Sequence, residues 1–219
     1  MRWLLQKARK RLPEGRTVLD IGAGTGLLVA EARADGLDAV GVEPSHSLVE
    51  VARRENGIEL LQGTFPHAQL AGRTFDFIFL VDVIEHVCNP LELLQECARA
   101  LEENGIIIVV TPDVRSVAAC ILRKRWWHFR LAHVGYFSEK SASVLAERSG
   151  TAIVDRFRAK WFFRVGYLAD RVARYLPVAA LNRAATKVPA VRSAYDWLMP
   201  LDLRDSWVFF LGRIDRCSR

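Results

Sequence analysis

Cysteine is scarce, 4 in 219 residues. Cys88, Cys97, Cys120 and Cys217 form no C-x-x-C pair, so neither a zinc knuckle nor a disulfide framework is expected, and the thiols are expected to be reduced and mostly buried. No run approaches the roughly 18 uncharged apolar residues of a membrane span. The basic start has no apolar core with a cleavage site, so the expected location is cytoplasmic. No internal repeat or low-complexity tract is visible. No Gly-Lys-Ser/Thr follows the glycine-rich segment, which excludes a phosphate loop, and Leu27 stands where a dinucleotide fingerprint needs its last glycine.

What the chain does have is the segment Thr17-Val-Leu-Asp20-Ile-Gly22-Ala-Gly24-Thr-Gly26, an apolar strand running through Asp20 into glycines at alternate positions. Such a loop lets a ligand lie against bare backbone and accepts the dihedrals of a tight strand-to-helix turn. A helix is expected to begin straight afterwards, at Leu27-Leu28-Val29-Ala30. Residues 38 to 43, Asp-Ala-Val-Gly-Val-Glu, read as a second strand ending in Glu43, followed by Pro44 and Ser45. A carboxylate at that tip is placed to accept both hydroxyls of a ribose. Asp20, in a loop without Arg or Lys, disfavours a polyphosphate and favours a cation. Opposite charges about 4 Å apart attract by roughly 4 kcal/mol at an effective dielectric of about 20. A ribose and a cation together point to S-adenosylmethionine.

Three further stretches accompany the loop: Gly41-Val-Glu43-Pro44-Ser45, Phe75-Asp-Phe-Ile78, and Asp82-Val-Ile-Glu85-His86-Val87. In this order the four motifs resemble those of class I S-adenosylmethionine-dependent methyltransferases, most closely the broad group that includes the quinone-biosynthesis methyltransferases. The likeness covers residues 17 to 155 well and the remainder weakly. It implies that Asp20, Gly22, Ala23, Gly24, Gly26, Glu43, Pro44, Thr64, Phe65 and Val81 contact the cofactor. The chain departs from the family after the third strand, where many relatives carry an acidic residue for the adenine amino group. Here Gly63-Thr64-Phe65 offers a hydroxyl and a ring.

Apolar strand runs alternate with helical ones, which predicts an α/β fold with a mostly parallel sheet and helices on both faces. The length suits one domain, and a 51% hydrophobic content supplies its core. Further strands are expected near 58–62, 75–81, 105–111, 152–159 and 206–214, and helices near 47–55, 90–101 and 138–149. That makes a doubly wound, seven-stranded, Rossmann-like sheet, preceded by a basic helix within residues 1–16. A helical, lid-like insertion over 160–205 precedes the last strand.

Charge is unevenly spread around the net +6. Residues 17–114 hold 5 basic and 16 acidic side chains, a balance of −11, whereas residues 1–16, 115–155 and 156–219 carry +5, +4 and +8. Basic appendages suit an anionic partner, and solvated surface is the plainer reading. In 161–176, Val165, Leu168, Val172, Tyr175 and Leu176 recur at helical spacing, with Arg164, Arg171 and Arg174 elsewhere on the wheel and Trp161, Phe162 and Phe163 in front. A basic amphipathic helix with aromatic flanks can close over an acceptor pocket as a lid, the reading favoured here, or lie on a membrane. Trp3, Leu4, Leu5, Ala8 and Leu12 read the same way on a smaller scale, or as a helix packed over the cofactor entrance.

Methyl transfer to oxygen needs a proton acceptor, and histidine is the natural one. His86 follows the fourth strand and His133 lies in Ala132-His-Val-Gly-Tyr136-Phe-Ser138 after the fifth. Both are candidate catalytic residues, with Trp127, His133 and Tyr136 expected on the acceptor side. The plainer alternatives are that His86 anchors its loop and that His133 and Tyr136 dress the start of a helix capped by Ser138. Asp82, Glu85 and His86 could chelate a divalent ion, but no further ligand is in view and no metal is expected. The expected function is methylation of a small, amphipathic, lipid-like or anionic acceptor, with peripheral membrane contact as an added expectation. RNA methylation is an alternative encouraged by the Arg and Trp cluster at 123–130. Against it, the fourth strand lacks the Asn/Asp-Pro-Pro-Tyr run of similar base-amino methylases, and Val87, not Pro, precedes Cys88. A cofactor-binding protein without turnover is the third reading.

Overall fold

β-Branched and aromatic runs build the centre of the sheet. The computed structural model describes residues 1–164, 166, 197–201 and 203–214. The strands are β1 (Thr17–Ile21), β2 (Asp38–Glu43), β3 (Leu61–Gln62), β4 (Phe75–Val81), β5 (Leu101–Pro112), β6 (Thr151–Arg158), β7 (Trp161–Arg164), β8 (Leu198–Leu201) and β9 (Ser206–Arg213). The helices are α1 (Arg2–Arg11), α2 (Leu27–Ala34), α3 (His46–Asn56), α4 (Pro90–Arg99), α5 (Val117–Leu122) and α6 (Glu139–Ser149). The chain divides into two compact units, Met1–Phe157 with Asp205–Arg219, and Arg158–Arg204.

In the larger unit seven strands follow the order β3-β2-β1-β4-β5-β9-β6. β1, β2, β3, β4 and β5 pair in parallel, and β9 joins β5 antiparallel, with Ser206 opposite Pro112. The fold is therefore the mostly parallel, Rossmann-like sheet with flanking helices that the alternation predicts. The chain winds outward from β1 through β2 and β3, then returns to continue through β4 and β5 on the other side. This leaves a crevice at the carboxyl ends of β1 and β4, where such sheets take ligands.

Strands buried on both faces read as continuous apolar runs. In β4, Phe75, Phe77, Ile78, Phe79 and Leu80 are fully buried, and Ile107, Ile108, Phe209 and Phe210 continue the core across β5 and β9. Asp76 is the polar exception. Its Oδ2 accepts from the backbone N–H of Arg16 (2.7 Å) and of Thr17 (2.9 Å) and from the Thr17 hydroxyl (2.9 Å), which pins the entry of β1 to β4.

Short-range signals set the helix ends. Ser45 caps α3, whose chain leaves through left-handed Gly57, Asn89 caps α4 with Pro90 behind it, and Ser138 forms a capping box with Ser141 at α6. β5 begins earlier than its apolar run suggests, because Leu101 pairs with Phe75 and an irregularity then carries exposed Glu102, Glu103 and Asn104 into the strand. In α1, Leu4, Leu5 and Ala8 are buried, the terminal amino group lies 3.9 Å from Glu31, and Arg9 lies 3.7 Å from Asp35. The apolar side chains of this basic helix are thus committed to the protein.

In the smaller unit, β7 and β8 form an antiparallel ribbon, Trp161 opposite Leu201 and Arg164 opposite Leu198. These segments read in the sequence as aromatic flanks of a helix. The helical positions themselves, Val165, Leu168, Arg171, Val172, Arg174, Tyr175 and Leu176, lie outside the described residues.

Candidate functional site

The glycine loop folds over the tip of β2. The N–H groups of Gly22 and Ala23 donate to the Val42 carbonyl at 2.8 and 3.1 Å, and Gly26, in the left-handed region, starts α2. Glu43 ties the loop down. Its Oε2 accepts from the Gly24 N–H and its Oε1 from the Ser45 N–H, both at 2.8 Å. Its carbonyl accepts from Gly63 at 3.0 Å, which brings Thr64 and Phe65 to the same edge. Two glycines here are needed for different reasons. Gly24 has a φ of +55°, and a methyl group there would meet nothing within 4 Å, so bare backbone faces open space. Gly41 needs space, since a methyl group there would lie 2.6 to 2.9 Å from Leu60, Ala23 and Val29.

Asp20 lies beneath this loop, 4% exposed. Burial and then the neighbouring Glu43 push its carboxyl up to about 8. A cation nearby would favour the carboxylate and offset both effects. An open glycine cradle, a buried acid that gains from a positive neighbour and a carboxylate at the tip of β2 together fit S-adenosylmethionine, which carries a sulfonium and a ribose. Pro44 is exposed, as is Thr64, while Phe65 is half-buried against the core.

Past Val81, the last residue of β4, the backbone turns at Asp82 with a φ of +53°. The Glu85 carbonyl accepts from the N–H groups of Val134 (2.8 Å) and Gly135 (3.0 Å), stitching the segment after α5 onto the end of β4. His86 Nδ1 lies 2.8 Å from the Ala132 carbonyl, and its ring meets His133 edge-on at 4.6 Å between centroids. The two histidines read as candidates are therefore neighbours. His133 is buried with Nδ1 unpartnered, and burial, followed by His86, Arg130 and His128, lowers its pKa to about 4. Glu85 is 1% exposed. Burial and then Asp82 raise it to about 7, although the Thr111 hydroxyl donates to its Oε2 at 3.1 Å.

Asp82 is open to solvent as a residue yet lined by protein, as a group on the wall of a cleft is. Burial raises its pKa against the opposing pull of His128, His86 and Arg130. Among the described residues, the trio able to offer donor atoms within 4.8 Å of one another is Glu85, His86 and His133, not the Asp82, Glu85 and His86 set suggested by sequence.

Around these lies an aromatic wall. Tyr136 stands 6.3 Å from His133 and 5.0 Å from Phe129 between ring centroids, and its hydroxyl reaches the Arg130 carbonyl at 3.4 Å. The Trp127 indole N–H donates to Asp205 Oδ2 at 2.9 Å, and His128 Nε2 lies 3.3 Å from the same oxygen. Trp127, His133 and Tyr136 thus share one wall. His128 and Asp205 are additions that the sequence reading did not single out. His128 sits within the conspicuous Arg, Trp and His run, whereas Asp205 has no local signal.

The family described as a methyltransferase domain matches residues 1–156. A ubiquinone biosynthesis O-methyltransferase of Vibrio cholerae serotype O1 is 31% identical over 117 residues, which are 51% of this chain and 47% of that protein. One from Agrobacterium fabrum is 36% identical over 110 residues, covering 48% and 44%. The chain spans about half the length of the curated relatives it matches. Among solved structures, an S-adenosylmethionine-dependent methyltransferase from Thermotoga maritima superposes with a TM-score of 0.60 at 25% identity, covering 96% of this chain and 86% of that one. A Bacillus halodurans protein superposes with a TM-score of 0.63 at 16% identity, covering 96% of each, a likeness of fold alone. The chain belongs to the methyltransferase-domain family, whose cofactor is S-adenosylmethionine.

Proposed function

We propose that the chain transfers a methyl group from S-adenosylmethionine to an oxygen of a small, amphipathic or lipid-like acceptor. What supports this reading is that β1 and β4 are parallel neighbours, so the segments after them leave the same edge of the sheet, where a methyl group on Gly22 would lie 2.7 Å from Val83. The donor surface is the glycine loop with Asp20 and Glu43, and the acceptor surface is the aromatic and histidine wall that follows β4 and β5. When bound, S-adenosylmethionine would be held by the glycine loop with Asp20 and Glu43 and would supply a methyl carbon activated by its sulfonium, with the neutral thioether as leaving group.

In this reading Glu43 holds the ribose and Asp20 answers the positive charge. Gly22, Ala23, Gly24 and Gly26 give the backbone its close approach. Pro44, Val81, Thr64 and Phe65 border the remainder, Thr64 and Phe65 toward the adenine. Trp127 and Tyr136 stack against the acceptor. His86 and His133 line the acceptor's hydroxyl end, His133 as a neutral ring at pH 7. Alignment of this kind can supply roughly 7 to 11 kcal/mol of the barrier.

The segment after β5 supports a lipid-like acceptor. Exposed Val117, Ile121 and Leu131 flank the exposed run Arg123-Lys124-Arg125 there, a composition suited to an anionic lipid surface. The relatives named for ubiquinone biosynthesis point the same way.

A screen with methyl-labelled cofactor tests it. Purified chain is incubated with a lipid extract, a panel of phenols, a panel of amines and total RNA. Label in the phenol or lipid fraction is expected. Label confined to RNA or amines, or no transfer at all, overturns the proposal.

A further inference from the structure

We propose that Asp205 is a positioning residue that fixes His128 as the proton acceptor of the acceptor wall, an inference that rests on the methyl-transfer reading above. Asp205 is 2% exposed and immediately precedes β9. Because β9 runs antiparallel to β5 with Ser206 opposite Pro112, the start of β9 lies at the crevice edge of the sheet. The backbone there is fixed, since the Asp113 N–H donates to the Asp205 carbonyl at 2.7 Å. The side chain then reaches two groups from a segment distant in sequence, Trp127 Nε1 at 2.9 Å and His128 Nε2 at 3.3 Å, both at Oδ2. One carboxylate thus sets the place of both rings.

A carboxylate beside one imidazole nitrogen orients the ring and faces the charge that forms when the other nitrogen takes a proton. His128 has this arrangement with Asp205. Among the histidines of the wall, His133 has an unpartnered Nδ1 and His86 is held at Nδ1 by a backbone carbonyl. His128 is 15% exposed, stacks on His133 at 5.9 Å between centroids, and packs edge-on against buried Trp126 at 5.0 Å. It is held on its sides and still reachable. In the step assigned to it, the O–H bond of the acceptor breaks, its electron pair stays on oxygen, and the proton goes to His128 Nδ1. The proton leaves to solvent after the product departs.

The test uses the full chain as wild type, Asp205→Asn and His128→Gln, labelled with ¹⁵N on histidine and tryptophan, with Trp127→Phe to assign the indole signal. Asp205→Asn keeps an acceptor for Trp127 while removing the charge. The expected result is that it shifts the His128 ring nitrogens and leaves S-adenosylmethionine affinity within about twofold by calorimetry. With the acceptor found in the methyl screen, kcat falls by about a hundredfold in either variant while KM changes little. The double variant is expected to be no worse than either single one, because the two residues act as a unit. Unchanged His128 nitrogens in Asp205→Asn overturn the positioning role. A loss confined to KM, or an unchanged kcat, overturns the proton role. No transfer to any acceptor by the wild type overturns the methyl-transfer reading and the proton role with it, while the nitrogen spectra still decide whether Asp205 holds His128.

Discussion

Glu43 Oε2 accepts the Gly24 N–H at 2.8 Å, so the tip of the second strand holds the middle of the loop that ends the first. The carboxylate shapes the donor surface before it meets any ligand. Replacing Glu43 with Ala is expected to weaken S-adenosylmethionine binding by about 10- to 100-fold, the equivalent of roughly 1.5–3 kcal/mol for hydrogen bonds to a charged group. Glu43→Gln should lose less, because one oxygen still accepts. Calorimetric titration measures both, and an unchanged affinity in Glu43→Ala would remove Glu43 from the ribose site.

Asp20 sets a pH dependence of definite sign. Its folded pKa of about 8 lies above the ordinary 3.8, so the folded protein keeps a proton that the unfolded chain gives up. Without ligand, that contribution to stability is full below about pH 4 and is lost as pH rises toward about 8. Asp20→Asn should therefore melt higher than wild type at pH 8 and level with it near pH 4. Glu85, raised to about 7, leaves a residual slope of the same sign. The same variant should bind S-adenosylmethionine more weakly at pH 8, where only the wild type can offer a carboxylate.

Asp76 works in the opposite direction. Burial pushes its pKa up, but the two backbone N–H donors and the Thr17 hydroxyl outweigh it, and the net shift is downward. Its contribution is present above the ordinary carboxylate range and is lost as pH falls through the lowered value. Asp76→Ala should destabilise the protein by about 2–3 kcal/mol at pH 7 in urea unfolding, and by less at pH 3.

Two glycines separate stability from binding. Gly41→Ala forces a methyl group to within 2.6 Å of Leu60 and should lower the melting temperature by several degrees, as overpacking of about 1–3 kcal/mol does in a chain of this size. Gly24→Ala meets no neighbour, so its stability loss should stay near the roughly 1–2 kcal/mol of a left-handed backbone, while cofactor affinity falls sharply. Melting curves with and without S-adenosylmethionine distinguish the two.

The elements of the candidate donor side were legible because their signals are local. Alternating glycines, Asp20 two residues before Gly22 and Glu43 at the end of a β-branched run all lie within or beside the elements they define. The same segment-level reading grouped His133, Trp127 and Tyr136, whose rings the fold links through His128. What escaped it depends on pairing across the chain. The bond from Trp127 to Asp205 joins residues 78 positions apart, and nothing around Asp205 announces it. The β7 and β8 ribbon escaped for a related reason, since Trp161-Phe-Phe becomes a strand only beside Leu198-Met-Pro-Leu. Sequence also joined Glu85 and His86 to their near neighbour Asp82, whereas the fold brings in His133 from beyond β5.

The place of β9 between β5 and β6 bears on the order in which the protein can be assembled during synthesis. The ribosome makes β9 after every other strand of that sheet, yet β9 occupies an interior position. Until it emerges, β5 and β6 each present an unpaired edge, the kind of surface that seeks another strand. Asp205 arrives with β9, so a nascent chain can shape its glycine loop well before Trp127 and His128 have the carboxylate that seats them. Newly made chains halted short of residue 205 are thus expected to aggregate through these edges rather than persist as half-enzymes.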